Sequence, residues 1–199
     1  MKRDYTGVEN LINIEDAYDY IKANLKDGRY IHVLGVVSVA KKLAIINNVN
    51  VEKAEIAALS HDIAKNLSKN KMLEIIKDNN ITLGENEKNT PALWHSIVGP
   101  ILAKEILEID DIEILDSIRW HTTGRANMTT LEKIIYISDM IEPSRVFKGV
   151  EKIREETLKD LDKGLLLGMD HSINYLLWQG SLLDIHTIEA RNYLLLHRK

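Results

Sequence analysis

Apolar residues return every three or four positions along most of the chain, which is the spacing of amphipathic helices. Ile14, Ala17, Tyr18, Ile21 and Leu25 form one such stripe, with Asn13 placed to cap it. A second helix is predicted over about 29–47, with a stripe through Val33, Val36, Ala40 and Leu43. A third follows Asn50, another cap residue, and carries Ala54, Ala57, Ala58 and Leu59. On this reading it continues through His61-Asp62. A fourth begins after Ser68 and ends at Asn79-Asn80. Thr90-Pro91 starts the next, since proline suits the first helical position, and Gly99-Pro100 is expected to kink or break it. Another covers about 111–121. Thr129 and Glu132 then have the spacing of a capping box, opening a helix that halts before Pro143. Two or three more follow, with Leu161, Leu165, Leu166, Tyr175, Leu176, Leu177 and Trp178 expected in the core. There is no Asn-Gly hairpin signal, repeat, linker or low-complexity stretch. The pattern predicts one all-α domain over residues 1–199, with the motif-bearing core at about 29–150 and helices from 151–199 packed on it.

Composition narrows the chemistry. With 199 residues, 45% hydrophobic and 28% charged, the chain can bury a sizeable core. It has no cysteine, so a thiolate nucleophile and any cysteine-held metal are excluded, and a metal would need histidine and carboxylate. The net charge of −4 argues against nucleic acid as a partner. No run approaches the ~18 apolar residues of a membrane span. The Met1–Gly7 stretch has no apolar core after its basic residues, so a cytoplasmic protein is expected. Oligomeric state is left open, a homodimer included.

His32, the His61-Asp62 pair, His95, His121 and Asp139 fall on or beside successive predicted helices. A single helical histidine is more often a surface or hydrogen-bonded core residue. The spacing makes the set worth more than its members. Small residues around the His61-Asp62 pair would let neighbouring helices come close enough to share ligands. Four imidazoles and two carboxylates suit a divalent transition metal rather than Ca²⁺.

The order His, His-Asp, His, His, Asp resembles the HD-domain superfamily of metal-dependent phosphohydrolases in its six-ligand, two-metal form. Arg29–His32, Ala57–Lys65, Trp94–Gly99, His121–Gly124 and Met128–Arg145 are similar to the YqeK-type bacterial members, with a weaker return at Ile185–Thr187 and Ala190–Asn192. Ser138, Met140 and Pro100 depart from the residues usual there, and the proline usual after the C-terminal histidine is missing at Thr187. The resemblance implies an all-α HD-domain bundle that splits diadenosine tetraphosphate, or a similar dinucleoside polyphosphate, symmetrically into two ADP. Two divalent metals are implied: iron by resemblance, with manganese, cobalt, nickel and zinc also compatible with these donors. His32, His61, Asp62 and Asp139 would hold one, and Asp62, His95 and His121 the other. A hydroxide between the metals would attack phosphorus, making Asp62 and Lys65 the catalytic candidates.

Arg29, Lys65, Arg125 and Arg145 are candidates for gripping the phosphates of the substrate, and for an ADP- or GDP-like product. Thr122 and Thr187 are weaker ones. Trp94 and Trp120 adjoin ligands but read as core. His171 and His197 read as structural or surface residues. The runner-up functions are a general nucleotide pyrophosphohydrolase or phosphatase, and a nucleotide-binding module without turnover. Lys65-Asn66 stands where guanosine-tetraphosphate hydrolases carry Glu-Asp, and Thr122 where cyclic-dinucleotide phosphodiesterases carry a second His, which argues against both.

Overall fold

The computed structural model describes residues 14–197. They form eleven helices and no strand. These are α1 (Ile14–Asn24), α2 (Asp27–Ile46), α3 (Val51–Ser60), α4 (Lys69–Asp78), α5 (Glu85–Asn89), α6 (Trp94–Leu107), α7 (Ile112–Trp120), α8 (Thr130–Ile141), α9 (Val150–Lys159), α10 (Leu161–Trp178) and α11 (Ile185–His197). None is long and apolar enough to cross a membrane. The Asn13 cap lies outside the described residues.

Caps start the helices where the side-chain chemistry places them. Asn50, Ser68, Asp111 and Thr129 each accept an N–H from the first turn, and Glu132 returns the bond to complete the Thr129 box. The apolar stripes then choose neighbours. Central α8 buries Leu131, Ile134, Ile135, Ile137 and Ile141, and it packs against α2, α3, α7, α9 and α10. Ala54, Ala57 and Ala58 on α3 are fully buried, and these short side chains bring α3 against α2, α7 and α8. A second, smaller core of Ala64, Met72, Ile76, Trp94, Ile97 and Val98 holds α4 against α6.

Four expectations change. Pro100 does not break its helix but sits inside a continuous α6. Proline disfavours helix in the residue before it partly by crowding that residue's Cβ, and Gly99 has none. A Cβ there would also meet Ile118 Cγ2 of α7 at 2.8 Å, so the glycine lets α6 and α7 close up. Second, α3 ends at Ser60, and His61-Asp62 lie in the tight turns beyond it, where Ile63 N–H bonds to Ser60 O and Lys65 N–H to Asp62 O. Third, α5 has no apolar stripe to announce it. It is held instead by Glu87, which caps the Gly84 N–H and pairs with Arg119. Fourth, Leu161, Leu165 and Leu166 are buried as expected, but Tyr175, Leu177 and Trp178 are exposed. The buried residues of α10 stop at Met169, and beyond it the helix is half-buried and then mostly exposed.

Candidate metal centre

Six side chains from five segments meet in one cluster, five of them buried and Asp139 half-buried. α2 supplies His32, the turn after α3 supplies His61 and Asp62, α6 supplies His95, the end of α7 supplies His121, and α8 supplies Asp139. Asp62 lies at the centre and its two oxygens face different partners. Oδ2 is 3.5 Å from His61 Nε2 and 4.0 Å from His32 Nε2. Oδ1 is 3.4 Å from His95 Nε2 and 3.8 Å from His121 Nε2. His32 Nε2 also lies 3.0 Å from Asp139 Oδ1. Two triads have ligand atoms mutually within 4.8 Å: His32, His61 and Asp139, and then His61, Asp62 and His121.

All four imidazoles are held from behind. The Nδ1 atoms of His61, His95 and His121 lie 2.6, 2.7 and 2.7 Å from the carbonyls of Ala58, Ala92 and Ile118, each three residues back. His32 Nδ1 lies 3.0 Å from Glu142 Oε1. A carbonyl only accepts, so Nδ1 of these rings carries the proton and Nε2 presents a lone pair. The lone pairs of His95 and His121 then face each other at 3.1 Å with no proton between them. His32 Nε2, His61 Nε2 and Asp62 Oδ1 are buried without a hydrogen-bond partner. Converging, unsatisfied acceptors cost free energy unless a cation joins them, so the residues fit a divalent metal.

The titration behaviour agrees with that fit. Burial, with His121 and Lys65 nearby, pushes His95 down to about 3. Burial and the neighbouring His61 push His121 down to about 4. Both rings are therefore neutral and ready to coordinate well below neutral pH. Burial alone would raise Asp62, but His61, Lys65, His121 and His95 around it hold the carboxyl well below the usual range. Asp139 is likewise held low against its burial, chiefly by His32.

Cations ring the cluster. Arg29 Nη1 is 2.9 Å from Asp62 Oδ2. Lys65 Nζ lies 3.0 Å from His95 Nε2 and 3.7 Å from Asp62 Oδ1. Arg145 donates to Asp139 Oδ1 at 2.5 Å and to its carbonyl at 2.8 Å. Arg125 is placed differently. It is bound to Glu132 at 2.7 Å and Asp116 at 2.9 Å, joining α7 to α8. Thr122 Oγ1 reaches His121 Nε2 at 3.1 Å, whereas Thr187 is buried beside Asp184. Trp94 is buried, as the core reading had it, and donates to Glu87 O. Trp120 lies under Arg119 and against His186, which bonds to Asp184. His171 stacks on Phe147 and His197 on Tyr193.

Two clefts open on the cluster. One, of about 400 Å³, is lined by Gly28, Arg29, His32, Ser144, Arg145 and Phe147. The other, of about 230 Å³, is lined by His121, Thr122, Tyr136, Met140, Arg145 and Phe147. Arg145 and Phe147 stand between them.

Comparison with known proteins decides the family. The HD domain family matches residues 29–163. The chain belongs to the HD domain family. Among its HD relatives is the "Bis(5'-nucleosyl)-tetraphosphatase, symmetrical" of Bacillus subtilis, 38% identical over 183 residues, covering 92% of this chain and 98% of the relative. A protein of the same name from Staphylococcus aureus is 33% identical, over 92% of this chain and 94% of the relative. A solved structure, the "predicted HD superfamily hydrolase involved in NAD metabolism" of Clostridium acetobutylicum, is 45% identical. It superposes with a TM-score of 0.90 over 93% of this chain and 98% of that one. In this HD chain the two residues of the eponymous pair, His61 and Asp62, sit side by side at the centre of the cluster.

Sequence reasoning missed Glu142 as the partner of His32. The signal was available: a histidine inside a continuous helix has no free carbonyl behind it, so its Nδ1 needs an acceptor from elsewhere.

Proposed function

We propose that the chain is a symmetrical bis(5'-nucleosyl)-tetraphosphatase, which adds one water across the central P–O–P bridge of diadenosine tetraphosphate and releases two ADP. The observation that carries the reading is the cluster of four histidines and two aspartates, with Asp62 facing both halves of it. This cluster stands in a chain that matches relatives of that name over nearly their whole length.

His32, His61, Asp62 and Asp139 would hold one divalent ion, and Asp62, His95 and His121 a second, with Asp62 shared. When bound, such ions supply a water of lowered pKa and offset the charge of the phosphates. Iron is our preferred metal, among the transition metals that imidazole and carboxylate accept. The chain's own groups do the rest. Arg29, Lys65 and Arg145 sit at the rim, each with one end on a ligand residue and part of its side chain open to solvent. From there they can turn donors to phosphate oxygens and bear the charge that gathers on the departing ADP. The two clefts meeting at Arg145 and Phe147 take the two nucleoside diphosphate halves, which places the central bridge over the cluster. Arg125 serves the fold through Glu132 and Asp116, and we leave it out of the grip. The enzyme works in the cytoplasm on a small-molecule substrate.

The test is the product profile on metal-loaded protein. Diadenosine tetraphosphate should give ADP as its only nucleotide product on anion exchange. Equal AMP and ATP would replace the symmetric reading by a general pyrophosphohydrolase, and binding without turnover would leave a nucleotide-binding module.

A further inference from the structure

The four histidines of the cluster solve one problem in two ways. Each must keep its proton on Nδ1 so that Nε2 can face inward. His61 and His121 sit where a helix ends, and His95 sits at the second residue of α6, so each finds a carbonyl three residues back. Ala58 and Ile118 are among the last residues of α3 and α7, where carbonyls lack main-chain partners, and Ala92 lies in the short 3-10 turn that ends just before α6. His32 is the sixth residue of the 20-residue α2, where the carbonyls behind it belong to the helix ladder. Its acceptor comes instead from 110 residues away: Glu142 Oε1 at 3.0 Å, on the turn after α8.

Glu142 is built for this place. Its side chain is 1% exposed. The Ser144 N–H donates to Oε2 at 2.7 Å, and the Ser144 hydroxyl donates to Oε1. Arg154 ties down the turn by donating to the carbonyls of Ile141, Glu142 and Arg145 at 2.8, 2.7 and 2.9 Å. α2 leaves room for the carboxylate. A Cβ at Gly35, one turn beyond His32, would come within 2.6 Å of Glu142 Oε2. A buried carboxylate otherwise carries a large desolvation cost. Packing, the Ser144 hydrogen bonds and a missing side chain on the facing helix all hold one oxygen pair in place, with Oε1 against the His32 ring nitrogen and 3.8 Å from Arg145 Nε.

We propose that Glu142 is a positioning residue for the metal centre. Its carboxylate takes the Nδ1–H of His32, fixes that ring with Nε2 toward Asp139, and raises its strength as a ligand. A negatively charged partner behind a ligating histidine increases its basicity more than a carbonyl does. The two metal positions are therefore unequal by construction, and the one that includes His32 depends on Glu142. The inference rests on the metal-binding reading of the cluster and concerns only its His32 side.

The experiment measures metal rather than turnover. Purified wild type, Glu142→Gln and Gly35→Ala are stripped, titrated with Mn²⁺ or Co²⁺, and analysed for bound metal per chain. Far-ultraviolet circular dichroism checks the fold. Glu132→Gln is the control, because Glu132 is equally buried but serves the Thr129 cap and Arg125. Glu142→Gln should weaken one of the two bound metals by about 10–100-fold and leave the other unchanged. Gly35→Ala should do the same with the carboxylate's charge intact, by displacing it. Glu132→Gln should lower the melting temperature and leave metal affinity as in wild type. If folded Glu142→Gln and Gly35→Ala bind both metals as wild type does, the inference is wrong and Glu142 is structural. A wild type that binds no metal would instead overturn the reading of the whole cluster.

Discussion

At the scale of single residues, the cluster is legible as a pattern of types but not as a pattern of partners. His32, His61, Asp62, His95, His121 and Asp139 stand out in the sequence because histidine and aspartate recur at helix intervals, and the structure brings all six together. What the spacing could not show is which atom each residue turns inward, since that depends on carbonyls and on Glu142. Ser138 illustrates the same limit. It precedes Asp139 of the cluster, yet its hydroxyl is fully buried and has no hydrogen-bond partner. An unsatisfied buried hydroxyl costs about 1–3 kcal/mol, so Ser138→Ala should stabilise the chain by up to about that amount. Thermal melting checks it: an unchanged or raised melting temperature is expected, with metal content intact. A fall of several degrees would mean that the hydroxyl has a partner that matters.

At the scale of elements, helix starts are readable because one side chain decides them. Asn50, Ser68 and Thr129 each act through a bond three residues long. Helix ends and interiors depend on distant packing and are less readable. His61-Asp62 falls in turns because the chain leaves α3 at Ser60. α5 exists because Glu87 finds Arg119, 32 residues away. Pro100 is tolerated because Gly99 precedes it and packs on Ile118. This last case gives a prediction. Gly99→Ala restores the Cβ that Pro100 crowds and sets it 2.8 Å from a fully buried Ile118 methyl. Overpacking of this kind costs about 1–3 kcal/mol, which for a chain of this length is on the order of 2–4 °C of melting temperature per kcal/mol. The displaced α7 carries His121, so metal affinity should fall along with stability. Full stability in Gly99→Ala would show that α6 and α7 can separate without loss.

At the scale of the whole molecule, the same burial that makes the site competent makes the metal-free fold sensitive to acid. His95 faces His121, Lys65 and Asp62, and His121 faces His61, Asp62 and Asp139. Burial lowers both rings, to about 3 and about 4, from an unfolded value near 6.5. Between those limits the unfolded chain takes up protons that the folded chain refuses, so stability rises with pH and drains away as pH falls from about 6.5. Asp62 and Asp139, held below the usual carboxylate range, extend the loss to lower pH in the same direction. A bound metal would oppose it, because it would bind the folded cluster more tightly than the open chain. Chelator-treated protein should therefore melt progressively lower between pH 7.5 and pH 5. Metal-loaded protein should lose less over the same interval, and should keep its metal below pH 6.5, where free imidazole would already be protonated. A metal-free melting temperature that does not move across this range would mean that His95 and His121 titrate in the fold as they do in water. The cluster would then not be the dry site from which the hydrolytic reading is built.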